Sequence, residues 1–166
     1  MPITIPKPIL LMPKVPSVVV VGLLVAQFLF FYQYGNEPEP KCTLNVERPH
    51  HSTSLKESQN LNAIKLNITS TCNVPQNYTR VTARIQKIEN NREMVVHNFP
   101  SRVAASTPKT PETAVFRNLF IICAPGVEIA YKGFAKGYVL LKNGEKIEVV
   151  GASGNYQVTD CAIGGQ

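Results

Sequence analysis

Tryptophan is absent from this 166-residue chain, aspartate occurs once, at Asp160, and histidine three times. Each scarcity removes a class of function. One aspartate and ten dispersed glutamates leave no paired carboxylates for acid–base work. No serine lies in a G-x-S-x-G turn, and no C-x-x-C spacing offers a zinc site. His50 and His51 fall in a Ser/Thr-rich stretch and His97 follows an apolar strand, none with a second ligand at helical or hairpin spacing. They read as solvated side chains. The glycine-rich GASGN at 151–155 has no following helix to cradle a phosphate. The expectation is a protein that is not an enzyme and holds no cofactor or metal.

The most informative feature present is an apolar run over residues 15–34, VPSVVVVGLLVAQFLFFYQY, with Gln27 its one strongly polar interruption. Twenty helical residues span about 30 Å, the thickness of a bilayer's hydrocarbon core, so the run predicts a single transmembrane helix. Lys7, Lys14 and the α-amino group precede it, while Glu37 and Glu39 follow against Lys41. That asymmetry places the amino end in the cytoplasm and the remainder outside the cell membrane. Phe28, Phe30, Phe31, Tyr32 and Tyr34 cluster at the far end, where rings favour the interface. The bulky FFYQYGN offers no small-x-small cleavage site, which favours a retained anchor over a signal peptide.

Gly22 and Ala26 share a helical face, with Gln27 beside it. Small residues at that spacing admit a second helix closely, and a buried amide can bond across the contact. Residues 1–14 mix Pro2, Pro6, Pro8 and Pro13 with Ile3, Ile5, Ile9, Leu10, Leu11 and Met12. Prolines at that density forbid a regular helix, and a tail so apolar needs cover from a membrane surface or another subunit.

Residues 35–40, GNEPEP, form a short stiff linker, and 41–166 suffice for one domain with its own core. Here the periodicity is two. Leu44 and Val46 alternate with polar neighbours, as do Ile64, Leu66 and Ile68, and Val81, Ala83 and Ile85. Asn143-Gly144 predicts a two-residue hairpin pairing Lys142 with Glu145, Leu140 with Ile147 and Tyr138 with Val149. Asn90-Asn91 predicts a second hairpin. TAVFRNLFIICA, apolar on both faces, reads as a strand in the middle of a sheet. No segment of the domain shows a helical period of useful length. RPHHSTSLKESQN and SRVAASTPKTPE read as long loops. The expected fold is mainly β: an antiparallel β-sandwich of about seven strands. An immunoglobulin-like form is one candidate, although its signature tryptophan is missing.

Four cysteines in an outward domain predict two disulfides. Cys42 and Cys72 share inward parity on strands that would pair antiparallel, favouring Cys42–Cys72 and Cys123–Cys161. Asn67 and Asn77 open glycosylation sequons. From Lys41 onward fifteen basic residues face nine acidic ones, so the net +6 lies essentially in the domain. The cations look scattered along the sequence, as ordinary solvated charge, although a basic domain beside a bilayer could lean on anionic headgroups or an acidic partner. No aromatic–basic stacking pattern is visible, which argues against nucleic acid.

These features predict an accessory or structural subunit of a larger membrane complex. Its partners would be membrane protein subunits, met through the helix, tail and outer domain, together with the lipid bilayer. The alternative is a free-standing surface receptor or adhesion module that binds ligand through its loops.

Overall fold

The computed structural model describes residues 39–108 and 111–164, together with residues 22, 25–27 and 29 nearer the amino end. The chain divides into two compact units, Met1–Pro38 and Glu39–Gln166. In the first, the described residues are helical. Most of the expected transmembrane helix at 15–34, all of the tail at 1–14 and residues 35–38 of the linker lie outside the described residues. Among the described residues no helix is long and apolar enough to cross a membrane.

The second unit is mainly β, its described residues forming nine strands in two antiparallel sheets. In the first sheet β3 (Ala63–Cys72) has β6 (Glu112–Ile122) along one edge. On its other edge lie β1 (Cys42–Val46) and β2 (His50–His51), in turn. In the second sheet β4 (Gln76–Glu89) lies between β5 (Arg92–Ala105) and the eighteen-residue β7 (Ala124–Leu141). The far edge of β7 is shared by β8 (Lys146–Ala152) and β9 (Gln157–Ala162).

Alternation on both sheets supplies one core. Leu44, Val46, Ile64, Leu66 and Ile68 from the first sheet meet Val81, Ile85, Tyr131, Val139 and Leu141 from the second. Burial of each large aliphatic side chain is worth about 1.5–3 kcal/mol. The sheets come close at Gly151, where an added Cβ would run into the Leu44 carbonyl oxygen. Only the missing side chain lets β1 lie against β8 there.

Several expectations change. The β7–β8 hairpin is shifted by one residue: Leu140 faces Lys146, Val139 faces Ile147 and Gly137 faces Val149. Its connection is the three-residue Lys142-Asn143-Gly144, with Gly144 at φ +90° and its N–H donating to the Leu141 carbonyl over 3.0 Å. A one-residue slip exchanges the faces of a strand. Val139 and Leu141 therefore fill the core, while Tyr138 and Leu140 turn outward, sparing the Tyr138 phenol a buried site.

Strand β6 is paired only along β3, at the edge of its sheet rather than in the middle. Its two-faced apolar look has a local cause. Arg117 and Asn118 together oppose Asn67, and Asn118 sits at φ +61°. This bulge reverses the parity, so Ala114 and Phe116 before it and Leu119 after it all point inward. Val115, Phe120 and Ile122 are left exposed.

The first expected loop contains β2 and a short helix, α1 (Thr53–Gln59). Asn60 closes α1 in the left-handed conformation, its N–H reaching the Lys56 carbonyl while that of Leu61 reaches Leu55. The second expected loop is half strand, since β5 runs to Ala105. Pro100 sits in a bulge on this edge strand, where its missing N–H interrupts no ladder.

Candidate interaction surface

The four cysteines pair as Cys42–Cys72 and Cys123–Cys161. The first bond joins directly opposed residues of β1 and β3. The second ties the β6–β7 crossover to β9. Beside it Tyr131, fully buried, donates its hydroxyl to the Cys161 carbonyl over 3.0 Å and accepts the Ile163 N–H over 2.7 Å. Burial pushes the phenol's pKa up, so it stays a neutral clamp on the C-terminal strand.

Glu112 organises the end of the domain where the chain enters from Lys41. Its Oε2 accepts the Gln76 N–H and the Ser106 hydroxyl over 2.9 and 3.0 Å, and its Oε1 accepts Lys142 Nζ over 3.1 Å. Those donors, the Gln76 amide first, hold its carboxyl below the usual range. Gln76 continues into a buried polar relay through Thr79 to Ser70, which crosses from one sheet to the other.

The histidines are not all free in solvent. His51 Nε2 lies 2.6 Å from Asp160 Oδ1, joining β2 of one sheet to β9 of the other. With Ser52, Lys56 and Glu57 the pair lines a shallow cleft of about 310 Å³. The Ser52 hydroxyl meets Ser54 rather than the imidazole, so the cleft aligns no nucleophile with a base. His50 Nδ1 lies 2.9 Å from the Arg48 carbonyl oxygen. His97 stands edge-on to Phe99 at 4.6 Å, and burial lowers its pKa. Among the described residues no three His, Cys, Asp or Glu side chains converge as a metal site.

Of the sequon residues, Asn77 is exposed, whereas Asn67 is half-buried and donates its amide to Glu47 over 2.8 Å. Gly22, Ala26 and Gln27 are helical and exposed.

Strand pairing brings together cations that looked scattered along the chain. Even-numbered positions from Tyr78 to Ile88 on β4 and from Ala130 to Leu140 on β7 share the outer face of the second sheet. Tyr78, Arg80 and Arg84 there adjoin Lys132, Phe134, Lys136 and Tyr138, with Lys146 and Glu148 next on β8. The Arg84 guanidinium lies 4.3 Å from the Phe134 ring centroid, and Lys146 Nζ lies 5.2 Å from that of Tyr138. The Tyr78 and Tyr138 rings meet edge to face at 6.3 Å. Lys132 pairs with Glu93 at 2.7 Å, which lowers that carboxyl's pKa. Two hollows of about 280 and 340 Å³ share Thr82 and Lys136. Arg80, Tyr138 and Glu148 line the first, Arg84 and Phe134 the second. An aromatic–basic platform thus exists that reading along the chain had not revealed. Its signal was parity within a shared sheet, visible only once β4, β7 and β8 are in register.

No family model matches the chain, and no curated protein matches it. Among solved structures, a late embryogenesis abundant (LEA) protein determined in solution aligns over 89% of this chain and 86% of its own. The identity is 12% and the TM-score 0.38, values that carry no argument about fold or function.

Proposed function

We propose that this chain is a non-enzymatic, single-pass membrane protein whose β-domain lies outside the cytoplasm as an accessory or structural subunit of a larger membrane complex. The observation that carries the reading is the apolar run at 15–34, joined through six residues to a domain braced by two disulfides. Disulfides belong to an oxidising compartment, and the basic side of the run belongs to the cytoplasm. The strand orders β1-β3-β6 and β5-β4-β7-β8 further support the finer proposal of an immunoglobulin-like sandwich, the second order following G-F-C-C′ in reverse. Gly22, Ala26 and Gln27 are assigned to a neighbouring helix, and the apolar tail to cover by the same partner.

Solubilisation in mild detergent followed by native electrophoresis tests this reading. A subunit migrates with a large assembly, and Gly22→Leu reduces that co-migration while leaving the domain folded. Migration as a small discrete species would sink it and favour the receptor or adhesion module.

A further inference from the structure

We infer that the outer face of the five-stranded sheet is a docking surface for the anionic headgroups of a lipid bilayer. Along β4, β7 and β8 five cations, Arg80, Arg84, Lys132, Lys136 and Lys146, face two carboxylates, Glu93 of β5 and Glu148, while Asp160 stands on the outward side of β9. The charge complements any leaflet that carries anionic headgroups on the domain's own side of the membrane, and a Lys or Arg held near such a surface gains about 1 kcal/mol. Tyr78, Phe134 and Tyr138 stand among the cations, and amphipathic rings suit the headgroup level. Fold maintenance does not account for this grouping, because the core is supplied by the opposite face of the same strands. Arg84 Nε is buried and has no hydrogen-bond partner among the described residues, although its guanidinium rests on Phe134. The guanidinium stands beside a hollow lined by β4, β5 and β7.

The position of the face within the domain agrees. Lys41 is fixed by Asn73, its N–H donating to Asn73 Oδ1 over 2.7 Å, and the Lys142 N–H donates to the Pro75 carbonyl over 3.1 Å. The start of the domain therefore lies at the same end as Lys142, Lys146 and Tyr78. The chain thus enters the domain beside one end of the cationic face.

The absence of tryptophan provides the test. Tyr138→Trp places a single reporter in the face of the full chain, which is mixed with zwitterionic vesicles or with vesicles containing phosphatidylglycerol. Emission should shift to shorter wavelength only with the anionic vesicles, and high salt should reverse the shift. Arg80→Gln or Lys136→Gln in the same background should each lower the docked-to-undocked ratio about fivefold. Lys65→Gln, on the other sheet, should leave it unchanged. Equal emission in the two vesicle types would overturn the proposal, as would a full shift after both cations are neutralised. The shift is read whether or not the chain stays bound after an alkaline wash. Loss of the chain in that wash breaks the anchor, and loss of the shift breaks the docking face.

Discussion

The two sheets solve the same inward problem and present different outward chemistry. On the four-stranded sheet Thr43, Thr71 and Thr113 lie side by side across β1, β3 and β6, with Asn45, Thr69 and Val115 in the next outward row. Lys65 is the cation of β3 and Arg117 that of β6. On the five-stranded sheet the corresponding rows hold arginine, lysine, tyrosine and phenylalanine. The inward rows of both are mainly apolar and buried. Alternation commits only half of each strand to the core, so the outward half is free to differ. Threonine rows are what pleated, solvated surface favours. The cationic rows exceed that need, and the docking proposal rests on that difference.

The two disulfides sharpen the comparison most strongly. Cys42–Cys72 closes its loop within one sheet, at a separation of 30 residues, and Cys123–Cys161 closes 38 residues at the crossover to the other. Replacing either pair by serine should cost about 4 kcal/mol in the chain-entropy model. The effects should nevertheless differ in place. Loss of Cys123–Cys161 should release β9 and the Tyr131 clamp, raising amide exchange at 157–163. Loss of Cys42–Cys72 should raise exchange in β1. Urea unfolding with hydrogen exchange reads both, and identical exchange patterns would show that the sheets open as one.

Gly151→Ala attacks the seam where the sheets meet. The new Cβ would press on the Leu44 carbonyl oxygen, so β1 and β8 must part, at a cost of about 1–3 kcal/mol. The measurement is a shift in the urea midpoint. Gly154→Ala, with open space around its added Cβ, is the control and should stay near the parent.

Glu112 gives a pH signature to the same seam. Its folded pKa is depressed, chiefly by the Gln76 N–H, so its contribution to stability is fully present above the unfolded value, about 4.3. The contribution fades as pH falls through the lower folded value. Glu112→Gln should therefore weaken the domain at neutral pH, and the gap to the parent should close in acid. A gap that stays constant with pH would show that the carboxylate charge plays no part in the hub.

Legibility in the sequence followed the range of the interaction that decides each feature. Strands β1, β3 and β4 were readable because their alternation is uninterrupted, and the parity of Cys42 and Cys72 then implied their bond. The Asn90-Asn91 turn was readable because both residues adopt positive φ, 52° and 60°, as a two-residue hairpin asks. Asn143-Gly144 carried a similar signal and led to the wrong register. Lys142 joined the turn, and the choice was made by which β7 residues fill the core. The parity change in β6 hides in one left-handed asparagine, Asn118. Helix α1 has seven residues and buries none of them, so it has no apolar period to detect. The cationic face depends on pairing between β4 and β7, residues some fifty positions apart, such as Arg80 with Tyr138 and Thr82 with Lys136. No local pattern could contain it.

Sidedness is the central claim of the proposed function: residues 1–14 inside, residues 41–166 outside, with 15–34 between them. Single added cysteines at Lys7 and at the exposed Lys56 can be probed with a membrane-impermeant maleimide on intact cells. The account predicts labelling of Lys56→Cys in intact cells, and of Lys7→Cys only after permeabilisation. Equal labelling of both in intact cells, or labelling of Lys7→Cys alone, would contradict it.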